Sequence, residues 1–274
     1  MFIPAHPCLN QLVRKKIKIA LTIAGSDSGG GAGLQADLKT FAALGVHGTS
    51  VATCITAQNP KRVSSVEACS PRIIRAQFEA VFSELPPRAA KTGMLFSAAI
   101  IREVARAFRD RPCPLVVDPV MIATSGAALL RPDARRALTE KLLPLATLLT
   151  PNVPEAEALL GLRIREPEDL RDAAHTLHQR YGCAVLVKGG HLATPSEAVD
   201  LFFDGTTELL LSSPRVRGVH THGTGCTYSA AITAGLARGE TLVRAVPGAK
   251  DFVTHAIATS HKAGRHDVLN TIGE

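Results

Sequence analysis

The chain has 274 residues, 46% of them hydrophobic and 20% charged, and carries a formal net charge of +7. That length buries a sizeable core as one α/β domain, and no segment supplies the roughly 20 consecutive apolar residues that a membrane span needs. With no Trp and two Tyr, the chain lacks the aromatic platforms on which single-stranded nucleic acid stacks, so the dispersed positive charge reads as a solvated basic surface compatible with anionic nucleotides.

The opening MFIPAHPCLNQLVRKK sets its basic residues after its few apolar ones, the reverse of a secretory signal. Residues 1–16 therefore read as a loose extension and 17–274 as a single domain without a linker. Six cysteines, Cys8, Cys54, Cys69, Cys113, Cys183 and Cys226, show no CxxC spacing. That argues against a zinc site or disulfide scaffold and for a reducing, cytoplasmic setting.

Along the chain, 17–23 is a short apolar run ending in glycine, a buried strand. Helical spacing over 34–44 stops at Gly45, a natural C-cap. Ser70 and Pro71 form an N-cap and N1 pair for an amphipathic helix over 73–85. Further helices are predicted at 97–109, 132–142 and 167–181, and strands at 115–117, 148–150, 185–187 and 209–211. Two last helices follow, near 226–237 and 241–262. Alternating β and α, with strands apolar on both faces, predicts a central mostly parallel sheet covered by helices on both sides. Sites in such folds lie beyond the carboxyl ends of the strands, and that is where Asp27, Asp118, Asn152 and Lys188 fall.

Two glycine-rich loops stand out. GSDSGGGAG, residues 25–33, links a strand to a helix and matches neither G-x-G-x-x-G nor the P-loop; it reads equally as a tight connection and as a ligand cradle. Asp37 in the next helix has a plain role as complement to the helix dipole. His222-Gly223-Thr224-Gly225-Cys226 opens an apolar helix, where converging N–H groups suit the charge that develops in phosphoryl transfer. Cys226 at that helix start is expected to have a lowered pKa and to accept a hydroxyl proton. Lys188 suits the phosphates of ATP, and Asp118 suits Mg²⁺ or its water shell. Each is also an ordinary strand-end or turn residue. Asn152 and Glu155 have capping-box spacing, which is compatible with a second role in the site.

Taken in order, ALTIAGSDSGGGAGLQADLKTFAALG, CITAQN, KTGM, VVDPVM, LLTPNVPEAEALLG, VLVKGGH and HGTGCTYSAAI resemble the hydroxymethylpyrimidine/phosphomethylpyrimidine kinases of thiamine biosynthesis, a branch of the ribokinase-like superfamily. The resemblance spans residue 20 to about 231. It implies a ribokinase-like α/β fold and two successive phosphorylations of one pyrimidine in one site. It further implies ATP and Mg²⁺ as cofactors, with a monovalent cation as a further candidate, and a homodimer as the expected assembly. By motif position, Gly25, Asp37, Gln58, Met94 and Val120 line the pyrimidine pocket, where an amide such as Gln58 complements an amino group beside a ring nitrogen. Lys188, Asn152, Thr224, Asp118 and Glu155 serve ATP and metal, and Gly223, Thr224, Gly225 and Cys226 form the anion hole. Many ribokinase-like sugar kinases have an Asp general base where this chain has Cys226.

The tail AGRHDVLNTIGE lacks the family's glycine-rich ending. Two other readings are a pyridoxal kinase with a GTGC loop and a pyrimidine-binding regulator without turnover. Lid closure is expected, with 56–62 as the moving segment.

Overall fold

The structure is a computed structural model that describes residues 16–110, 112–121, 129–131, 133–190, 192, 196–219 and 222–272. The extension, apart from Lys16, lies outside the described residues.

The elements alternate as the sequence predicts. β1 (Ile19–Asp27), α1 (Gly33–Ala43), β2 (His47–Asn59), β3 (Arg62–Ala68), α2 (Pro71–Glu84), β4 (Ala89–Thr92), α3 (Ala98–Asp110) and β5 (Leu115–Val117) form the first half. α4 (Ala134–Ala137), β6 (Leu148–Leu149), α5 (Val153–Leu160), α6 (Pro167–Tyr181), β7 (Ala184–Lys188), β8 (Glu197–Phe203) and β9 (Glu208–Pro214) follow, and α7 (Thr224–Arg238), α8 (Leu242–Ala258), β10 (His261–Ala263) and β11 (His266–Val268) close the chain. β1 to β9 make one sheet in the order β3-β2-β1-β4-β5-β6-β7-β8-β9. β2, β1, β4, β5, β6 and β7 run parallel, whereas β3 at one edge and β8 and β9 at the other are antiparallel to their neighbours.

The two-residue period of a strand sorts the core into layers. Leu115, Val117, Leu149, Val185 and Val187 face the side packed with Ile74, Phe78, Val104, Ala156 and Leu170 of α2, α3, α5 and α6. Val116, Leu148, Ala184 and Leu186 face Tyr228, Ile232, Val246 and Val253 of α7 and α8, and Ala20 and Ala89 face Phe41 of α1 and small residues of α7. Helices thus cover both faces, as expected for the ribokinase-like α/β fold.

Several boundaries differ from the sequence reading. Residues 56–62, expected as a mobile loop, are the paired tip of the β2–β3 hairpin: Thr56 pairs with Val66 and Asn59 with Arg62. The helix expected over 132–142 is one α turn followed by a π turn over Leu138–Leu142; Pro132 lies outside the described residues. β8 carries Asp200 in the middle of its apolar run, which masks it as a strand. α8 ends at Ala258, and the expected helix gives way to the β10–β11 hairpin.

Candidate active site

A cleft of about 660 Å³ opens at the carboxyl ends of the parallel strands. Its walls include Gly25 and Asp27 at the end of β1, Gln58 from β2, and Met94 after β4. Asp118 and Val120 follow β5, Asn152 follows β6, Lys188 ends β7, and Gly223 to Cys226 begin α7. Twelve of the thirteen residues expected in the site therefore converge on one cavity.

Asp37 is the exception. It is fully enclosed beneath the cleft, with Oδ2 accepting from Thr22 Oγ1 at 2.6 Å and Oδ1 from Lys91 Nζ at 2.7 Å. It lines no part of the cavity, because its side chain leaves α1 on the face that packs against the sheet. A carboxylate there is tolerated only because it is paired and hydrogen-bonded.

One end of the cleft is apolar: Met94 and Leu129 pack with Cys54, and Val120, Val63, Val66 and Phe96 lean on them. Gly25 keeps this end open, since a Cβ on it would come within 2.8 Å of Cys54 Sγ and 3.3 Å of Met94 Sδ. Gln58 closes the rim. Its main chain exchanges two 2.8 Å hydrogen bonds with Ser28 Oγ, and its amide nitrogen donates to His222 Nε2 at 2.8 Å. Asp27 ties the first loop together by accepting from the N–H groups of Gly29, Gly31 and Ala32. Burial opposes ionisation of Asp27, but the adjacent His222 and these N–H groups outweigh it, and the carboxyl lies below its usual range.

The other polar cluster joins three strand ends. Lys188 Nζ donates to Asp118 Oδ1 at 2.8 Å, and Thr150 Oγ1 and Ser229 Oγ approach the two Asp118 oxygens at 3.3 and 3.4 Å. Burial disfavours the Lys188 charge, yet Asp118 and Glu155 raise its pKa above the ordinary lysine value. Asn152 and Glu155 form the expected capping box, with reciprocal 2.9 Å bonds that open α5. Burial lifts Glu155 to about 7, Lys188 opposing and Asp118 adding to the shift. The cap and the site thus share one carboxylate.

Gly223 caps α7 in the left-handed region, with φ 86, and offers no side-chain cap. A Cβ on Gly223 would collide with the Gly31 carbonyl oxygen, so the two glycine loops meet backbone to backbone. On the other side, a Cβ on Gly225 would lie 3.3 Å from Lys188 Nζ and 3.9 Å from Asp118 Oδ2. The first turn of α7 therefore adjoins both ends of the cleft, its positive dipole end facing the lysine–carboxylate cluster.

The lowered thiol pKa expected for Cys226 is not found. Burial pushes the thiol up to about 11; Lys91 opposes this, while Asp37 and Asp118 reinforce it and the Gly33 N–H offsets a part. A helix N-terminus lowers a thiol pKa where water still reaches it, and here removal from water dominates. Sequence reasoning also gave no place in the site to His222, which was legible only as a loop residue, or to Lys91, whose pairing with Asp37 spans 54 residues.

A profile of the phosphomethylpyrimidine kinase family matches residues 27–270. The chain is 53% identical to a hydroxymethylpyrimidine/phosphomethylpyrimidine kinase of Rhizobium meliloti (strain 1021), over 89% of this chain and 92% of that one. It is 51% identical to the enzyme of that name from Haemophilus influenzae, over 88% and 91%. Among solved structures, the phosphomethylpyrimidine kinase of Clostridium difficile 630 superposes with a TM-score of 0.78 at 46% identity, covering 88% of this chain and all of that one. The ADP complex of Bacillus subtilis pyridoxal kinase superposes with a TM-score of 0.86 at 38% identity, covering 93% and 98%. The convergence of the site residues and these likenesses lead to one conclusion: the chain belongs to the phosphomethylpyrimidine kinase family.

Proposed function

We propose that this cleft transfers the γ-phosphate of ATP first to the hydroxymethyl group of 4-amino-5-hydroxymethyl-2-methylpyrimidine and then to the resulting monophosphate, giving the diphosphate for thiamine biosynthesis. The observation that carries the reading is the pairing of a small apolar pocket, edged by the Gln58 amide, with a lysine–carboxylate cluster, both adjoining the first turn of α7.

In this reading Met94 and Val120 hold the ring, and Gln58, oriented by Ser28 and His222, selects it by offering one acceptor and one donor. Lys188 places its charge on the transferred phosphate. The N–H groups of Gly225 and Cys226 sit where negative charge develops, fixed in advance by Gly223 and costing no reorganisation.

Among the described residues no three His, Cys, Asp or Glu side chains cluster as a metal cage. Asp118 and Glu155 on one wall nonetheless fit Mg²⁺, which takes one or two carboxylates and fills its octahedron with water and phosphate. When bound, Mg²⁺ neutralises phosphate charge; the chain supplies Asp118 and Glu155 to hold it, and Asn152 to hold Glu155.

Cys226 is the candidate base for the first transfer, since the alcohol must lose a proton. The second nucleophile is a phosphate oxygen that is already ionised and needs no base. The same reading makes the protein a cytoplasmic homodimer. The described cysteines are free, and no described helix is long and apolar enough to cross a membrane.

The high superposition on pyridoxal kinase favours pyridoxal as the second substrate to test. A coupled ATP-consumption assay with hydroxymethylpyrimidine, its monophosphate and pyridoxal separately, with products resolved by mass, tests the reading. Conversion of both pyrimidines is expected; turnover of pyridoxal alone would redirect the pathway, and turnover of none would leave a binding protein.

A further inference from the structure

Lys91, in the KTGM segment, is a fully buried lysine that the chemistry above does not use. It leaves β4 beneath the start of α7, where Nζ pairs with Asp37 Oδ1 at 2.7 Å and lies 3.5 Å from the Cys226 carbonyl oxygen. Thr22 holds the other Asp37 oxygen, so the ammonium is fixed from below. The charged groups whose fields reach the Cys226 side chain are Lys91 from β4, Asp37 from α1, Asp118 after β5 and Lys188 at the end of β7. Lys91 is the main cation acting against two carboxylates and burial there.

We propose that Lys91 is a positioning residue for the proton-accepting step: anchored by Asp37 and Thr22, it fixes the first turn of α7 and stabilises the Cys226 side chain in its thiolate form. The inference deepens the proposed function and rests on it for the role of Cys226. The burial of Lys91 is otherwise costly, since an ion pair with no water access is commonly no more stable than an apolar replacement of the same size. Its charge is firmly kept: burial opposes it, but Asp37, Cys226 and Asp118 together raise its pKa. The proton balance is simple. The alcohol O–H bond breaks as the oxygen attacks the γ-phosphorus, the proton passes to the thiolate sulfur, and ADP leaves with the electron pair of the broken P–O bond.

Lys91→Gln retains a hydrogen-bond donor to Asp37 and removes the charge. Two readouts apply. Alkylation of Cys226 by iodoacetamide, followed by mass against pH, reads the thiolate without any substrate, and its midpoint is expected to rise by about one unit, a tenfold slower labelling at a given pH. The rate of the alcohol step at pH 8 is expected to fall about tenfold, with the monophosphate step changed less than about threefold. Lys91→Arg, which keeps the charge, is expected to retain the wild-type midpoint, and it serves on its own if the Gln variant does not fold. Equal losses in both steps, an unmoved midpoint in Lys91→Gln, or a midpoint raised in Lys91→Arg would overturn the proposal. Failure of the wild type to phosphorylate either pyrimidine would instead overturn the proposed function, and the labelling result would still decide the role of Lys91.

Discussion

At the scale of single residues, Glu155 has two demands on it. It caps α5 through the Asn152 N–H, and it faces Asp118 and Lys188 from a buried position that lifts its pKa to about 7. A carboxyl whose folded pKa exceeds its unfolded value of about 4.3 costs stability above pH 7, and the cost is relieved as pH falls from 7 towards 4. Glu155→Gln keeps the capping geometry and removes the charge. It is expected to raise thermal stability at pH 8, on the order of 1 kcal/mol, and to lower metal-dependent activity at least tenfold. Thermal melts at pH 5 and pH 8 check the first half, because the gain should shrink at the lower pH. Asp118, Asn152 and Lys188 were legible in the sequence because each falls at the end of an apolar strand, and Glu155 through its capping-box spacing with Asn152. The Lys91–Asp37 pair was not, since a contact across 54 residues leaves no local pattern.

At the scale of elements, two glycine loops decide the site. Gly223 has a positive φ and backbone packed against Gly31, so Gly223→Ala carries both left-handed strain and a collision. The expected result is a soluble protein with transfer activity reduced at least a hundredfold, checked by turnover beside circular dichroism; activity near wild type would show that the loop contact does not set the anion hole. Of the parallel strands, β1, β5, β6 and β7 were readable as apolar runs, whereas AAKT of β4 is interrupted by Lys91. β2 was not readable either, since HGTSVATCITAQN mixes small and hydroxyl residues whose burial depends on neighbours far along the chain. The same mixture made 56–62 look like a loop when it is the tip of a hairpin.

At the scale of the whole molecule, three packed layers hold the strand ends, and ion pairs tie the outer helices to one another. Glu103 on α3 is nearly buried between Arg75 of α2 and Arg106, at 2.8 and 2.6 Å. The Arg75 bond contributes most to holding its carboxyl down to about 2, against burial. A lowered carboxyl pKa gives stability that is present above the unfolded value of about 4.3 and is lost as pH falls towards 2. Because both arginines are half exposed, the contribution is expected to be about 1–2 kcal/mol. Urea melts should show Glu103→Gln destabilised by that amount at pH 7 and the difference vanishing near pH 2; an equal difference at both would contradict the ion-pair account. The layered fold was largely legible from β/α alternation, and β9 was read as a strand over 209–211, whereas β8 was not, because Asp200 interrupts its apolar run.

The central claim is that one cleft performs both transfers and that Cys226 matters for the first alone. Its thiol, raised to about 11 by burial, makes the alcohol step the pH-sensitive one. The most direct measurement is the rate of each step against pH 6 to 10 in the wild type and in Cys226→Ala, with products separated by mass. The account expects the wild-type alcohol step to rise with pH towards 10 and the monophosphate step to stay nearly flat. It also expects Cys226→Ala to slow the alcohol step about 10²–10⁴-fold while changing the second step less than about threefold. Equal losses in both steps, or a wild-type alcohol step indifferent to pH, would contradict it.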